Sequence, residues 1–196
     1  MLNERLKQYR VILASGSPRR QQFFRNLDIE VEIRPKEVEE TYPTNLTKTD
    51  ITDYLARKKA TPFSGTLEKT DILITSDTIV WHEDRALGKP ANGQEAFAML
   101  RSLSGKSHEV ITSVCFTTTA FQRTVHAVTR VYFKPLTEAE IRYYIETYRP
   151  FDKAGAYGIQ EWIGHTGIEK IEGSYFNVAG LPTHLVYREL CNIILQ

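Results

Sequence analysis

The feature that most narrows the fold is a short apolar run at residues 11–14, followed at once by Ser15-Gly16-Ser17-Pro18-Arg19-Arg20 and then by a helical pattern. Ser17 reads as a helix N-cap and Pro18 as the first helical residue. A side-chain oxygen there satisfies an orphan N–H, and the fixed φ of proline suits the first turn. Phe23, Phe24 and Leu27 then recur at helical spacing. A strand that feeds a helix through a tight turn begins a layered α/β arrangement. The same turn carries two arginines where a helix N-terminus is already partly positive, so the cations repel it. The arrangement makes sense if an anion sits in the turn. The competing reading leaves both arginines solvated on the first turn.

The alternation continues. Residues 29–33 read as a second strand, 35–45 as a polar, acidic, proline-bearing loop, and 47–60 as a helix with Ile51, Tyr54 and Leu55 on one face. Residues 71–75 lead into SDTIVW, a strand interrupted by polar residues, and HEDRALGKP reads as a turn. Asn92 caps a helix carrying Ala96, Met99, Leu100 and Leu103. Residues 109–119 and 124–133 are rich in valine, threonine and aromatics and read as two long neighbouring strands. Thr137 and Glu140 form a capping box opening a helix through Tyr148. DKAGAYGIQ is a glycine-rich loop, 168–171 a strand and 182–195 a closing helix. Alternating elements in the first half and paired strands in the middle predict an α/β fold with a mixed sheet.

A length of 196 residues suits one large domain or a compact two-lobed one. The reading is one domain over 1–196. A net charge of +1 excludes blanket attraction to nucleic acid or membrane. Cys115 and Cys191 are far apart and form no CxxC pair. With no signal-like apolar core near the N-terminus and no run of membrane-spanning length, a cytoplasmic protein is expected.

Several chemistries drop out. The chain has no HExxH, no GxSxG and no GxGxxG, and its five histidines are scattered. SGKSH contains GKS, but Leu100 stands where a P-loop needs its first glycine. What remains is a set of cations and acids. Ser15, Ser17, Arg19 and Arg20, with free N–H groups, suit a polyphosphate. Lys89 follows a glycine in a tight turn, where a surface lysine is the commoner reading. Lys58 and Lys59 are adjacent on one helix, and the pattern does not choose between them. Asp77 stands inside strand-like sequence, where an unpaired carboxylate is costly. One of Glu37, Glu39 and Glu40 could share a divalent cation with it, and carboxylates suit Mg²⁺ or Mn²⁺. Gln160, at the end of the glycine-rich loop, offers a donor and an acceptor suited to a base edge; a tight packed connection is the alternative.

These pieces, in this order, resemble the Maf family of nucleotide pyrophosphatases, first associated with septum formation. The chain shows ASGSPRR, EET, ARKKA, SDTIV, LGKP, LSGKSHEV, DKAGAYGIQ and GSYFNVAGLP, each in the place of a family motif, over nearly its whole length. The resemblance implies a two-lobed α/β fold, Maf/ITPase-like, with an extended mixed sheet flanked by helices and a central cleft. It implies a homodimer and a metal-assisted cleavage of a nucleoside triphosphate between its α and β phosphates. By position, Ser15, Arg20, Lys59 and Lys89 match phosphate-binding residues, Asp77 the catalytic acid, and Glu40 with Asp77 the metal ligands. Arg19, Thr78 and Gln160 match positions of substrate choice.

The branch preferring dTTP and UTP carries S-P-R-R and Y-G-I-Q, as here. The branch acting on 7-methyl-GTP replaces the first arginine with an aromatic and the glutamine with glutamate. Glu161 departs from the glycine that many members carry after the glutamine. An aspartate is a weak base near neutral pH, so the metal is expected to share the activation of water. Other nucleotides as substrates, or a nucleotide-binding regulator of cell division with little turnover, remain as alternatives. A nucleic-acid binder is disfavoured by the low net charge.

Overall fold

The computed structural model describes residues 2–195. Its elements are α1 (Leu2–Leu6), β1 (Arg10–Leu13), α2 (Pro18–Asn26), β2 (Glu32–Ile33), α3 (Lys48–Lys58), β3 (Asp71–His82), β4 (Arg85–Leu87), α4 (Gly93–Leu103), β5 (Ser107–Thr117), β6 (Gln122–Phe133), α5 (Glu138–Tyr148), α6 (Trp162–Gly167), β7 (Ile168–Glu172), α7 (Tyr175–Val178) and α8 (Thr183–Ile193). The strands form a seven-stranded mixed sheet in the order β2-β1-β3-β5-β6-β7, with β4 paired to β3. The α/β class with a mixed sheet and flanking helices is therefore as expected.

The chain divides into two compact units. The first holds the described residues up to Asp77, with Thr112–Ala127 and the segment from Gly180; the second holds Thr78–Ile111 and Val128–Ala179. The chain leaves one unit for the other within β3, β5 and β6. Each unit has its own core.

In the first unit Val11, Leu13, Phe24, Ile72, Ile74, Val114, Phe116, Val186 and Leu190 pack together. Strand β1 is parallel to both β2 and β3. A parallel strand with neighbours on both edges is covered on both faces, so its run is almost wholly apolar. Arg10 is the exception, and it lies opposite Asp71 in the β1–β3 register. Its guanidinium donates to both carboxylate oxygens at 2.8 Å. That bidentate bond holds the buried Asp71 below its ordinary pKa.

In the second unit Val80, Leu100, Leu103, Val131, Phe133, Ile141 and Tyr144 form the core. The side chains of Asn92 and Thr137 accept from Glu95 N–H and Glu140 N–H, capping α4 and α5 as their sequences predict.

Three expectations need correction. HEDRALGKP is not only a turn. Glu83 and Asp84 both take positive φ, closing a two-residue hairpin in which Val80 pairs with Leu87. The strand expected over 29–33 shrinks to Glu32–Ile33, because Leu27, Asp28 and Ile29 donate backbone bonds back to α2 and close that helix. And SDTIVW continues β3 without interruption: the buried carboxylate of Asp77 within it is matched by the Lys59 ammonium at 2.5 Å. The short helices α1, α6 and α7 have no strong periodicity and were not expected.

Candidate active site

Six of the predicted site residues lie in the first unit, and the structure brings several together. Ser15 follows β1 and is buried; its Oγ accepts from Ser17 N–H at 3.3 Å. Ser17 caps α2 by accepting from Arg20 N–H. The turn thus folds on itself as the sequence predicts, with both arginines on the first turn of α2.

Arg20 is anchored. Its Nε donates to Gly180 O and its Nη1 to Ser76 O, each at 3.0 Å. Desolvation pulls its pKa below the ordinary arginine value; Asp77 and Glu40 oppose that shift, and Arg19 adds to it. Arginine remains cationic at neutral pH even so. The field of Arg19, Arg20, Glu40 and Asp77 is therefore a shared one, and both arginine charges bear on the same locality.

Lys59 stands just past the end of α3 and makes the central contact. Its ammonium donates to Asp77 Oδ1 at 2.5 Å and to Glu40 Oε1 at 2.8 Å. Lys58 turns elsewhere, to the carbonyl and hydroxyl of Thr41, both at 2.8 Å. The structure thus separates two lysines that the sequence pattern alone could not. Asp77 is buried near the middle of β3, and Thr78 is the next residue of that strand.

Glu40 and Asp77 offer two carboxylates to one cation. Among the described residues no cluster of three or more histidines, cysteines or acids is suited to a metal. Two carboxylates are nonetheless the usual protein share for a Mg²⁺ that also binds substrate phosphates. The donor set fits a hard divalent cation bound together with an oxyanion.

The second unit gathers the remaining motifs. Gly155 N–H donates to Gly88 O at 3.0 Å, joining the glycine-rich loop to the turn that carries Lys89. Gly155 has φ +67°, and a Cβ there would stand 2.8 Å from Val80 Cγ2, so only glycine permits this approach to β3. Tyr157 is fixed by a 2.7 Å bond to His108 Nε2, which accounts for the histidine of LSGKSHEV. Burial drives the His108 pKa from 6.5 down to about 3, so its ring stays neutral. Gln160 ends the loop half-buried; its Oε1 is buried, and no donor among the described residues reaches it.

Sequence reasoning missed the carbonyls of Ser76 and Gly180, because any residue can supply a carbonyl. It also passed over Lys153, Tyr144 and the contacts of Glu161. A lysine at the head of the glycine- and alanine-rich KAGAYG run was the one signal available for these.

Cations and a shared carboxylate pair beside a strand-to-helix turn define an α/β protein built to handle polyanions. The chain belongs to the Maf family: the Maf-like protein family profile matches residues 10–193. Curated relatives span essentially the whole chain. A dTTP/UTP pyrophosphatase of Flavobacterium johnsoniae is 57% identical over 194 residues, 99% of this chain and 100% of the relative. One of Christiangramia forsetii is 58% identical over 97% of each chain, and one of Bacteroides fragilis 51% identical over 94% of this chain and 96% of its own. Among solved structures, the Staphylococcus aureus Ham1 protein matches 63% of this chain and 71% of its own at 13% identity and a TM-score of 0.45.

Proposed function

We propose that the protein is a nucleoside triphosphate pyrophosphatase that hydrolyses dTTP and UTP to the monophosphate and pyrophosphate. The observation that carries the reading is 57% identity to a dTTP/UTP pyrophosphatase across 100% of that relative. The geometry is in keeping with it: Lys59 holds Asp77 and Glu40 on one ammonium.

In this reading a water oxygen attacks the α-phosphorus. The α–β anhydride bond breaks, pyrophosphate leaves with the electron pair, and Asp77 takes the proton from the water. Glu40 and Asp77 would hold Mg²⁺ or Mn²⁺, which when bound supplies Lewis acidity to the phosphate oxygens and the water. Arg19, Arg20, Lys59 and Lys89 compensate the charge that grows on the departing group. Ser15 and the N–H of Ser17 add neutral donors. Gln160 meets the N3–H and O4 edge that uracil and thymine share, which cytosine inverts; Arg19 and Thr78 contribute to that choice. Completing the reading are a homodimer in the cytoplasm, with no membrane and no nucleic acid as partner. No described helix is long and apolar enough to cross a membrane.

The test is a panel of dTTP, UTP, CTP, GTP and 7-methyl-GTP with Mg²⁺ or Mn²⁺, separating pyrophosphate from orthophosphate. Pyrophosphate and a preference for dTTP and UTP are expected. Orthophosphate as first product overturns α–β cleavage, and a preference for 7-methyl-GTP overturns the substrate assignment.

A further inference from the structure

Lys58 is the last residue of α3 and Lys59 follows it, yet the proposed reaction uses only Lys59. Lys58 has a different set of contacts. Its ammonium donates to both the carbonyl and the hydroxyl of Thr41, each at 2.8 Å. The ring of Tyr54, four residues back on α3, is centred 6.0 Å from the same nitrogen and adds a weak cation–π attraction. Among the described residues Lys58 has no carboxylate partner. A charge that could pair with an acid is instead given to two oxygens of one loop residue.

That residue follows Glu40. The chain from 34 to 47 carries neither helix nor strand, and residues 35–42 make no backbone-to-backbone bond among the described residues. Side chains must therefore hold this stretch. Lys36 does so near its start: Nζ donates to Pro62 O at 2.6 Å and stands 4.4 Å from the centre of the Phe63 ring. Lys58 does so at Thr41. Glu40 lies between the two tethers, and its carboxylate accepts from Lys59 at 2.8 Å. All of these groups belong to the first unit.

The Lys59 contact does not by itself keep Glu40 in place for a dication. A divalent cation at Glu40 and Asp77 competes with that ammonium for the same two carboxylates, and the two cations repel. The bonds from Lys58 to Thr41 involve neither carboxylate. They hold the loop whichever cation the acids face. Pinning the loop beforehand lowers the ordering entropy that binding would otherwise cost.

We infer that Lys58 is a positioning residue for the carboxylate pair: by holding Thr41 at its carbonyl and hydroxyl, it keeps Glu40 within reach of the cation that Glu40 shares with Asp77. The inference rests on the reading of Glu40 and Asp77 as the holders of that cation.

The experiment compares K58M, K58R, T41V, E40Q and the double variant K58M/E40Q with the unaltered protein. Mn²⁺ binding is read from the paramagnetic resonance signal of the free ion, without nucleotide, and pyrophosphate release from UTP is followed as Mn²⁺ is varied. In K58M the Mn²⁺ dissociation constant should rise about fivefold, the scale of one exposed charged bond lost. The Mn²⁺ concentration for half-maximal turnover should rise with it, and kcat at saturating Mn²⁺ should stay within about twofold. K58R, whose fork also reaches a carbonyl and a hydroxyl, should bind Mn²⁺ within about twofold of the unaltered protein. T41V, which keeps the carbonyl, should weaken binding about twofold. In the E40Q background K58M should add nothing, because the tether acts through Glu40.

The sign of the change is decisive. Removing a positive charge near the site would by itself tighten Mn²⁺ binding. A lysine that only offsets the negative end of α3 lowers melting when lost and does not weaken Mn²⁺ binding. Mn²⁺ binding unchanged or tighter in K58M, with E40Q weakened, therefore overturns the inference alone, as do additive effects in the double variant. If K58M does not fold, T41V decides. If the unaltered protein neither binds Mn²⁺ nor needs it, or E40Q binds it equally well, the metal reading fails and the inference falls with it.

Discussion

Each unit has a lysine held by two carboxylates, and the two triplets are put together differently. In the first unit Lys59 meets Asp77 and Glu40 across 18 and 19 residues of sequence. Asp77 comes from a buried strand, and Glu40, 44% exposed, from the loop between β2 and α3. In the second unit Lys153 meets its neighbour Asp152 at 2.7 Å and Glu161 at 3.0 Å. Glu161 is bound again by a buried tyrosine. The first triplet has one partner, Glu40, with an exposed side chain that is free to turn to water. The second has its key acid tied from both sides. The same three kinds of charged group are held from one side in the first place and from both sides in the second, and the difference lies in what backs each acid.

That contrast can be broken. The largest effect expected is chemical and confined to the first triplet. Asp77→Asn should lower kcat by about 10²–10⁴, and Lys59→Met should lower kcat/KM by about 10²–10³. Stability should stay within about 1 kcal/mol, because Glu40 can turn to water and the buried Asp77 keeps the charge of Arg20 nearby. Steady-state kinetics and thermal melts on the same samples check this. Wild-type turnover in Asp77→Asn with saturating Mn²⁺ sinks the catalytic assignment.

Next comes Lys153→Met, which leaves Glu161 without its buried cation. A loss of about 2 kcal/mol is expected, below the 3–5 of a fully buried pair because Asp152 faces solvent. Denaturant unfolding would measure it. If Lys59→Met destabilises as much as Lys153→Met, the two triplets are not different in kind.

Acid should separate the units as well. Folding depresses the pKa of His108 from 6.5 to about 3. The unfolded chain therefore binds the extra proton, and stability is full above about pH 6.5 and falls as pH drops from 6.5 towards 3. Roughly 2 kcal/mol should be lost between pH 6.5 and 5. In the first unit the depressed carboxylate of Asp71 works later: its contribution stands above the ordinary aspartate value of 3.8 and is lost only as pH falls below that. Both tryptophans, Trp81 and Trp162, belong to the second unit. Tryptophan fluorescence during unfolding at the two pH values reports the second unit's loss directly; equal stability at pH 6.5 and 5 refutes it.

The smallest effect sharpens the local picture. Thr137→Ala should cost about 1 kcal/mol through the cap of α5, visible as a melting shift of about 2–4 °C, with the UTP over CTP ratio unchanged.

What the sequence made legible follows from distance along the chain. The caps at Ser17, Asn92 and Thr137 are set by bonds to residues three positions on, so composition and spacing reveal them. The choice between Lys58 and Lys59 depends on partners 17 to 19 residues away, beyond any helical period. The family motifs supplied what spacing did not: they chose Lys59 over Lys58 and gave Asp77 and Gln160 their expected roles. They did not identify Tyr144, because a core tyrosine on an amphipathic helix looks like packing until its hydroxyl is located. The β3–β4 hairpin was hidden because Glu-Asp is a poor sequence signal for a turn needing two positive φ angles.

Arg20 depends for one of its anchors on Gly180, 160 residues further along. At a synthesis rate of 5–20 residues per second, the arginine leaves the ribosome roughly 8–30 seconds before the carbonyl that steadies it. Through nearly all of its manufacture the chain carries an Arg20 that lacks this anchor. The strand-to-helix turn is complete only once the segment that begins at Gly180 is in place.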